Sequence, residues 1–281
     1  MTGDGTSGKL AGRRAVVTGA GTGIGREVAL EFARQGADVV VHYSRSAKGA
    51  HSAAAEITAL GRRATALQAD LSQVANCFDL IDRAVEFLGG LDILMNNAGV
   101  TIAGPFLDAK PEDFDLLYHV NVRGQFFCAQ RAARHMLAQA QPGRTCKGVI
   151  INMSSIHGLA GFIDHTIYDG TKGAIVAMTR SMAVELAPLG IRVNGITPGW
   201  IVVDSHYRQI RNFDPEGIGQ RMVPWRRLGR PIEVARACAY MASDDADYMV
   251  GHILTLDGGV VAKVSLPLET LESEWADIVV D

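Results

Sequence analysis

Tyr168 and Lys172 stand four residues apart at the start of a stretch with helical apolar spacing, so their side chains share one face. A tyrosine hydroxyl titrates near about 10 and is a poor base at neutral pH. An ammonium beside it favours the phenolate and makes the hydroxyl a usable proton donor or acceptor. Such a pair is also commonplace on helix surfaces. Here it has company: Asn152-Met153-Ser154-Ser155 closes one aliphatic run and Asn96-Asn97-Ala98-Gly99 closes another. A second chemistry is offered by Thr18-Gly19-Ala20-Gly21-Thr22-Gly23-Ile24-Gly25. Glycines let a backbone approach a pyrophosphate, and the helix behind the turn presents free N–H groups to the anion. The spacing is TGxxxGxG, not GxGxxG, and glycine turns also serve packing, so the turn alone does not assign a dinucleotide. The next aliphatic run ends in His42-Tyr43-Ser44-Arg45, with no acid between Asp38 and Glu56 to bind a ribose 2′-OH. Arg45, with Lys48 near it, suits a 2′-phosphate; the alternative is a solvated loop charge.

These residues need elements to hold them. Ala15-Val16-Val17, Val39-Val40-Val41, Ala64 to Leu67, Ile93-Leu94-Met95, Val149-Ile150-Ile151, Ile191 to Ile196 and Ile253 to Leu256 read as buried strands. Between them lie helical stretches. Ile24, Val28 and Phe32 recur at a spacing of four, and Gly36 closes that helix. Ala47 to Leu60, Val74 to Leu88, Pro111 to about Ala140, Tyr168 to Leu186 and Ile232 to Met241 follow. Alternating strand and helix with fully apolar strands predicts an α/β fold: a doubly wound parallel sheet with helices on both faces. Every motif above then falls at the carboxyl edge of that sheet. Trp200 to Trp225 is long for a connection and reads as a lid over the substrate.

In sequence order, these motifs resemble the classical short-chain dehydrogenase/reductase family. The match comprises TGxxxGxG at Thr18 to Gly25, Asp70-Leu71, NNAG at Asn96 to Gly99, Asn121, Ser155, YxxxK at Tyr168, and Pro198-Gly199. It runs from about Leu10 to Gly259. The resemblance implies a Rossmann-type single domain over 10–259, including the 200–225 lid, with a flexible leader at 1–9 and a tail at 260–281. It implies Tyr168 as acid/base, Lys172 as the group that lowers its pKa and holds the nicotinamide ribose, Ser155 on the reacting oxygen, and Asn121 on a water. For the cofactor it implies Gly19, Thr22, Gly23, Ile24 and Gly25 at the pyrophosphate, and Tyr43, Ser44 and Arg45 at the adenosine end. Asp70 and Leu71 would meet the adenine, Asn97 the adenosine ribose and the Ile201 backbone the carboxamide, with Ala98, Gly99, Pro198 and Gly199 also at the cofactor. NADP(H) is the expected cofactor and NAD(H) the alternative. Val203 stands where the family usually has Thr, and Asp169 follows the tyrosine where a small residue is common.

Ile151 to His157 resembles the corresponding stretch of bacterial glucose 1-dehydrogenases within this family. It implies a substrate contact by His157 beside Ser155 and Tyr168, and an aldose or polyol as substrate. Asn194, Asp204, Ser205 and His206 are further polar candidates. A 3-oxoacyl thioester or another ketone is the runner-up, and a non-catalytic dinucleotide-binding regulator is the rival class. Ile175, Met178 and Met182 are expected to pair between subunits of a homotetramer.

Composition narrows the field. Lys plus Arg 27 against Asp plus Glu 30 leaves a net charge of −3, without the basic concentration that nucleic acid requires. The four cysteines (Cys77, Cys128, Cys146, Cys238) have no metal spacing and fit buried structural thiols, so no metal is expected. No stretch approaches the roughly 18 apolar residues of a membrane span, and Met1 to Leu10 lacks a signal-peptide core. A cytoplasmic, small-molecule enzyme is the expectation.

Overall fold

Short aliphatic runs bury both faces only in the middle of a covered sheet, and that is where they lie. In the computed structural model, which describes residues 8–139 and 145–263, seven parallel strands stand in the order β3-β2-β1-β4-β5-β6-β7. They are β1 (Arg14–Val17), β2 (Asp38–Tyr43), β3 (Ala64–Gln68), β4 (Ile93–Asn96), β5 (Gly148–Met153), β6 (Ile191–Pro198) and β7 (Ile253–Leu256). The strand order reverses between β1 and β4, which opens a crevice outside their carboxyl ends.

Strand alternation splits the core in two. Ala15, Val17, Val39 and Val41 face α1 (Gly23–Arg34), α2 (Ala47–Ala59) and α9 (Pro231–Ala242), with Phe32 and Ile57 among the filling side chains. Val16, Val40, Leu94 and Ile150 face α3 (Val74–Leu88) and α5 (Gln125–Ala138), where Leu80, Ile81 and Met136 close the layer. Three further helices complete the sheet's flank and rim: α6 (Thr166–Leu186), α7 (Asp204–Gln209) and α8 (Pro215–Met222).

Several expectations change. The stretch from Pro111 is not one helix: α4 (Pro111–Leu117) gives way to a π-helical segment, Tyr118–Gly124, before α5 begins. Its expected end near Ala140 lies outside the described residues. Gly8 and Lys9 are not a loose leader, since the Lys9 N–H donates to Gln35 Oε1 at 3.2 Å and its ammonium pairs with Asp245. The rest of the leader and the tail from 264 onward lie outside the described residues. Ile175 is not an intersubunit residue: it is fully buried in its own chain, because the apolar face of α6 is used by its own sheet. Ala177, Arg180, Ser181 and Val184 form the outward face instead. Cys77, Cys128 and Cys238 are buried and free, while Cys146 is half-buried. No helix among the described residues is long and apolar enough to cross a membrane, and no metal-holding cluster occurs among them.

Candidate active site

Three loops at the sheet edge are tied together by polar groups the sequence hardly advertises. Thr18 Oγ1 accepts from the N–H groups of Asn97 and Ala98 at 2.9 and 3.0 Å. Asn97 Nδ2 donates to the carbonyls of Thr18 and Gly19 at 2.9 and 3.1 Å. The Gly19 N–H donates to His42 Nδ1 at 3.0 Å, and His42 Nε2 lies 3.1 Å from the Ala69 carbonyl. Burial pushes the His42 pKa down to about 4, against a smaller opposing effect of the Ala69 bond. The imidazole is therefore neutral, donating through Nε2 and accepting at Nδ1. His42 thus joins the glycine turn, β2 and the loop after β3.

The glycine turn is shaped for an anion. Gly19 and Gly23 have positive φ, and a Cβ at Gly19 would come within 2.8 Å of Ala98 Cα. A Cβ at Gly25 would overlap Asn97 Nδ2 and the Gly19 carbonyl. Thr22 caps α1 in an extended conformation without a side-chain cap bond, so the first-turn N–H groups at Ile24 and Gly25 stay open to a ligand. Val203 packs beside Gly23, 3.4 Å from where its Cβ would stand. At the end of β2, Ser44 and Arg45 are exposed, and Arg45 forms no ion pair among the described residues. Tyr43 departs from expectation. Its ring is buried on His51 (centroids 5.8 Å apart) and its carbonyl accepts from Ala69, so both are engaged in supporting the strand end. A cleft of about 260 Å³ lined by Ser44, Gln68, Asp70 and Asn76 lies beyond, with Leu71 buried beneath it. At the far end, the Pro198-Gly199 turn passes Asp257 so closely that a Cβ at Gly199 would stand 2.8 Å from its Cα. The parallel bridge between Ile201 and Gly229 uses the Trp200 carbonyl and Val202 N–H, leaving Ile201's own N–H and C=O without a main-chain partner among the described residues. An open helix N-terminus, a backbone edge at Ile201 and a cleft past Arg45 fit a dinucleotide laid across the sheet edge.

Asn121, Ser155, Tyr168 and Lys172 converge beside this crevice. The π-helical turn buries Asn121, whose Oδ1 accepts from Val100 N–H at 2.8 Å while Nδ2 donates to the Val100 carbonyl at 2.8 Å and to Thr171 Oγ1 at 3.2 Å. Its side chain is thus committed to the loop after Gly99, and any water contact falls to its main chain. Ser154 Oγ donates to the Lys172 carbonyl at 2.8 Å, drawing α6 onto the end of β5. Gly158 permits the close passage, for a Cβ there would meet that carbonyl at 2.6 Å. Lys172 is buried, with Nζ 3.2 Å from the Met153 carbonyl and 5.4 Å from the Tyr168 ring centroid. The Ser155 side chain stands beside the Tyr168 hydroxyl and favours its ionised form.

The electrostatics correct one expectation. Burial pushes the Tyr168 hydroxyl up to about 12; Ser155 opposes this and Asp169 adds to it. Burial also lowers Lys172 to about 8. Desolvation therefore outweighs the expected help from the ammonium, and the tyrosine rests as a neutral proton donor.

His157 lies where the sequence places it, its ring 5.1 Å from that of Tyr168. Its main-chain N–H donates to Ser155 Oγ at 3.3 Å. Asp169, which looked like a mere departure, holds it: Nδ1 is 2.6 Å from Asp169 Oδ1. Asn194 does not join the site. It is fully buried and bonded to the main chain of Met249 and His252, because its β6 position faces β7's entry loop. His206 meets Trp200 edge-on and Phe213 at a tilt, with ring centroids 6.2 and 5.3 Å away, and Tyr207 packs on Phe213 at 5.1 Å. The 200–225 segment therefore presents aromatic rings more than the polar groups expected of it. Sequence reasoning also missed the buried chain from Asn96 to Asn152 to Thr179 (3.0 Å each), which braces β4, β5 and α6.

A family model described as enoyl-(acyl carrier protein) reductase matches residues 19–261. Elsinochrome reductase 1 of Elsinoe fawcettii is 39% identical over 261 residues, covering 89% of this chain and 95% of that protein. Trihydroxynaphthalene reductase PfmaI of Pestalotiopsis fici is 38% identical over 263 residues, covering 90% of each. A short-chain dehydrogenase from Burkholderia cenocepacia, solved in complex with NADP, superposes with a TM-score of 0.82 at 34% identity over 90% of this chain and 99% of that one. The chain belongs to the short-chain dehydrogenase/reductase family. It is an oxidoreductase acting between alcohol and carbonyl groups.

Proposed function

We propose that the chain is an NADP(H)-dependent enzyme that interconverts a ring ketone and the corresponding secondary alcohol on a hydroxylated cyclic substrate. The observation that carries the chemistry is the half-buried Tyr168, its hydroxyl beside Ser155 and its ring backed by Lys172 at 5.4 Å. In reduction, Tyr168 donates its proton to the carbonyl oxygen while Ser155 holds that oxygen by a hydrogen bond. Lys172, near neutrality at about 8, returns a proton toward Tyr168 and orients the nicotinamide ribose. The nicotinamide, when bound, supplies or accepts the hydride. Arg45 is the residue assigned to the 2′-phosphate, and the NADP complex of the Burkholderia relative supports that cofactor.

The substrate class rests on aromatic rings. Phe162 stacks on His157 at 3.9 Å, His157 supplies a polar contact beside Tyr168, and Trp200, His206, Tyr207 and Phe213 give the 200–225 segment ring surfaces of its own. A relative named for trihydroxynaphthalene supports an aromatic ring substrate. The aldose first expected from the sequence remains a second reading, because His157 serves a sugar hydroxyl equally well. We also assign the 200–225 segment as the substrate lid. The test is a panel of cyclic hydroxy-ketones, aldoses and acetoacetyl thioester, followed at the reduced-nicotinamide absorbance with NADPH and NADH. Tyr168→Phe should lower turnover by roughly a thousandfold while NADPH still binds, since general acid–base catalysis contributes about 10²–10⁴-fold. A variant that keeps most of its activity overturns the mechanism, and an unmodified chain that turns over nothing in the panel returns it to the regulatory class.

A further inference from the structure

Asp169 is joined to more of the site than any role in the chemistry above demands. Its Oδ1 lies 2.6 Å from His157 Nδ1, and its Oδ2 accepts from the Phe162 N–H at 2.9 Å. The carboxylate is thus anchored at both oxygens. The His157 ring lies between the Phe162 ring, stacked at 3.9 Å and 22°, and the edge of Tyr168 at 5.1 Å, with His165 at 4.9 Å. Packing on these sides and the bond below fix the orientation of the imidazole. A carboxylate can only accept, so Nδ1 must carry the proton. The other nitrogen, Nε2, then holds a lone pair and has no partner among the described residues. Burial holds the ring below the usual histidine pKa, which keeps that lone pair available at neutral pH.

We infer that Asp169 is a positioning residue that locks His157 as a hydrogen-bond acceptor at Nε2, and that this acceptor selects substrates carrying a hydroxyl next to the reacting carbon. The inference rests on the proposed oxidoreductase reading and specifies it further. A ketone lacking the neighbouring hydroxyl leaves the half-buried acceptor without that bond, and that asymmetry is the source of discrimination. An amine or ammonium on the same carbon would serve as a donor too, but a carbonyl or ether oxygen would not.

Two measurements separate this from the broader reading. The first is the ¹⁵N spectrum of the imidazole nitrogens at neutral pH, with His157 identified from its loss in His157→Phe. The Nδ1–H tautomer is expected in the unmodified enzyme, and a mixture of tautomers in Asp169→Asn, which keeps an acceptor for Phe162 but can also donate to the ring. An Nε2–H tautomer in the unmodified enzyme overturns the inference, whatever the activity. The second is kcat/KM with NADPH for 2-hydroxy-1-tetralone against 1-tetralone. The hydroxy-ketone should be preferred by roughly tenfold, the worth of one well-made hydrogen bond. Asp169→Asn and His157→Phe should each abolish most of that preference. Equal preference in all three proteins overturns the selection by His157 and leaves the oxidoreductase reading standing. Turnover of neither ketone, nor of the other panel substrates, overturns that reading, while the tautomer spectrum still decides the role of Asp169.

Discussion

Held between the Gly19 N–H and the Ala69 carbonyl, the His42 imidazole satisfies both partners only while it is neutral. Its folded pKa of about 4 lies below the value of 6.5 expected once the chain unfolds, so between those pH values the unfolded chain binds more protons. The stability held through His42 is complete above about pH 6.5 and falls as the pH drops toward 4. Two pKa units, from pH 6.5 to 4.5, correspond to roughly 3 kcal/mol. Urea midpoints at pH 7 and 4.5 check this: His42→Gln, which keeps a donor and an acceptor, should lose less stability over that interval than the unmodified chain. Identical losses would show that His42 is not the acid-sensitive link. Arg45, exposed at the end of β2, is assigned in the proposed reading a role through charge alone. Arg45→Ala should weaken NADPH binding by about tenfold or more and leave NADH nearly unchanged, because only the 2′-phosphate meets the guanidinium. Fluorescence titration with both cofactors distinguishes this from an equal loss. The two residues differ in legibility. The exposed place of Arg45 at the end of β2 follows from the sequence pattern, whereas His42 depends on a carbonyl 27 residues away that sequence spacing does not reveal.

At the scale of elements, aliphatic runs and glycine stops marked strands and helices well, and α3 spans Val74–Leu88 as the periodicity predicts. The π-helical turn at Tyr118–Gly124 was illegible because one extra residue per turn leaves no break in an apolar pattern. Yet that turn is what commits Asn121 to Val100 and fixes the wall beside Lys172. The outward face of α6 was misread for a related reason: periodicity shows which face is apolar, not whether the sheet or a second chain covers it. Glycines divide in the same way between those the fold needs and those it tolerates. Gly25→Ala would force a methyl into Asn97 and the Gly19 carbonyl, at a cost of about 1–3 kcal/mol. It should also weaken NADPH binding, since the displaced groups shape the turn. Gly173→Ala, on α6 with nothing within 4 Å of its Cβ position, should be neutral or stabilising by up to about 1 kcal/mol. Thermal melts of the two variants, with NADPH titration of the first, provide the comparison. Equal melting temperatures would mean that the glycine turn yields more readily than its contacts imply.

The whole molecule leaves apolar side chains exposed on two separate sides. On the flank built by α4, α5 and α6, Phe114, Leu116, Phe126 and Val184 are 47, 44, 38 and 76% exposed. Beyond the last strand, Tyr240, Tyr248 and Val250 are exposed around a cavity of about 460 Å³ next to Met249 and His252. Here β7 ends the sheet among the described residues, and an edge strand invites pairing. One self-complementary patch makes a two-fold dimer, whereas two such patches on different sides close four copies about perpendicular axes. That geometry supports the homotetramer we propose, with Val184 and Phe126, not Ile175, at one interface. Sedimentation velocity at micromolar concentration should show a tetramer. Phe126→Glu with Val184→Glu removes the first patch and Tyr248→Glu with Val250→Glu the second, so each pair should leave a dimer and all four substitutions a monomer. A charge buried without a partner costs several kcal/mol, enough to shift such equilibria at this concentration. A monomer in the unmodified protein, or a tetramer surviving both pairs, would refute the two-patch assembly.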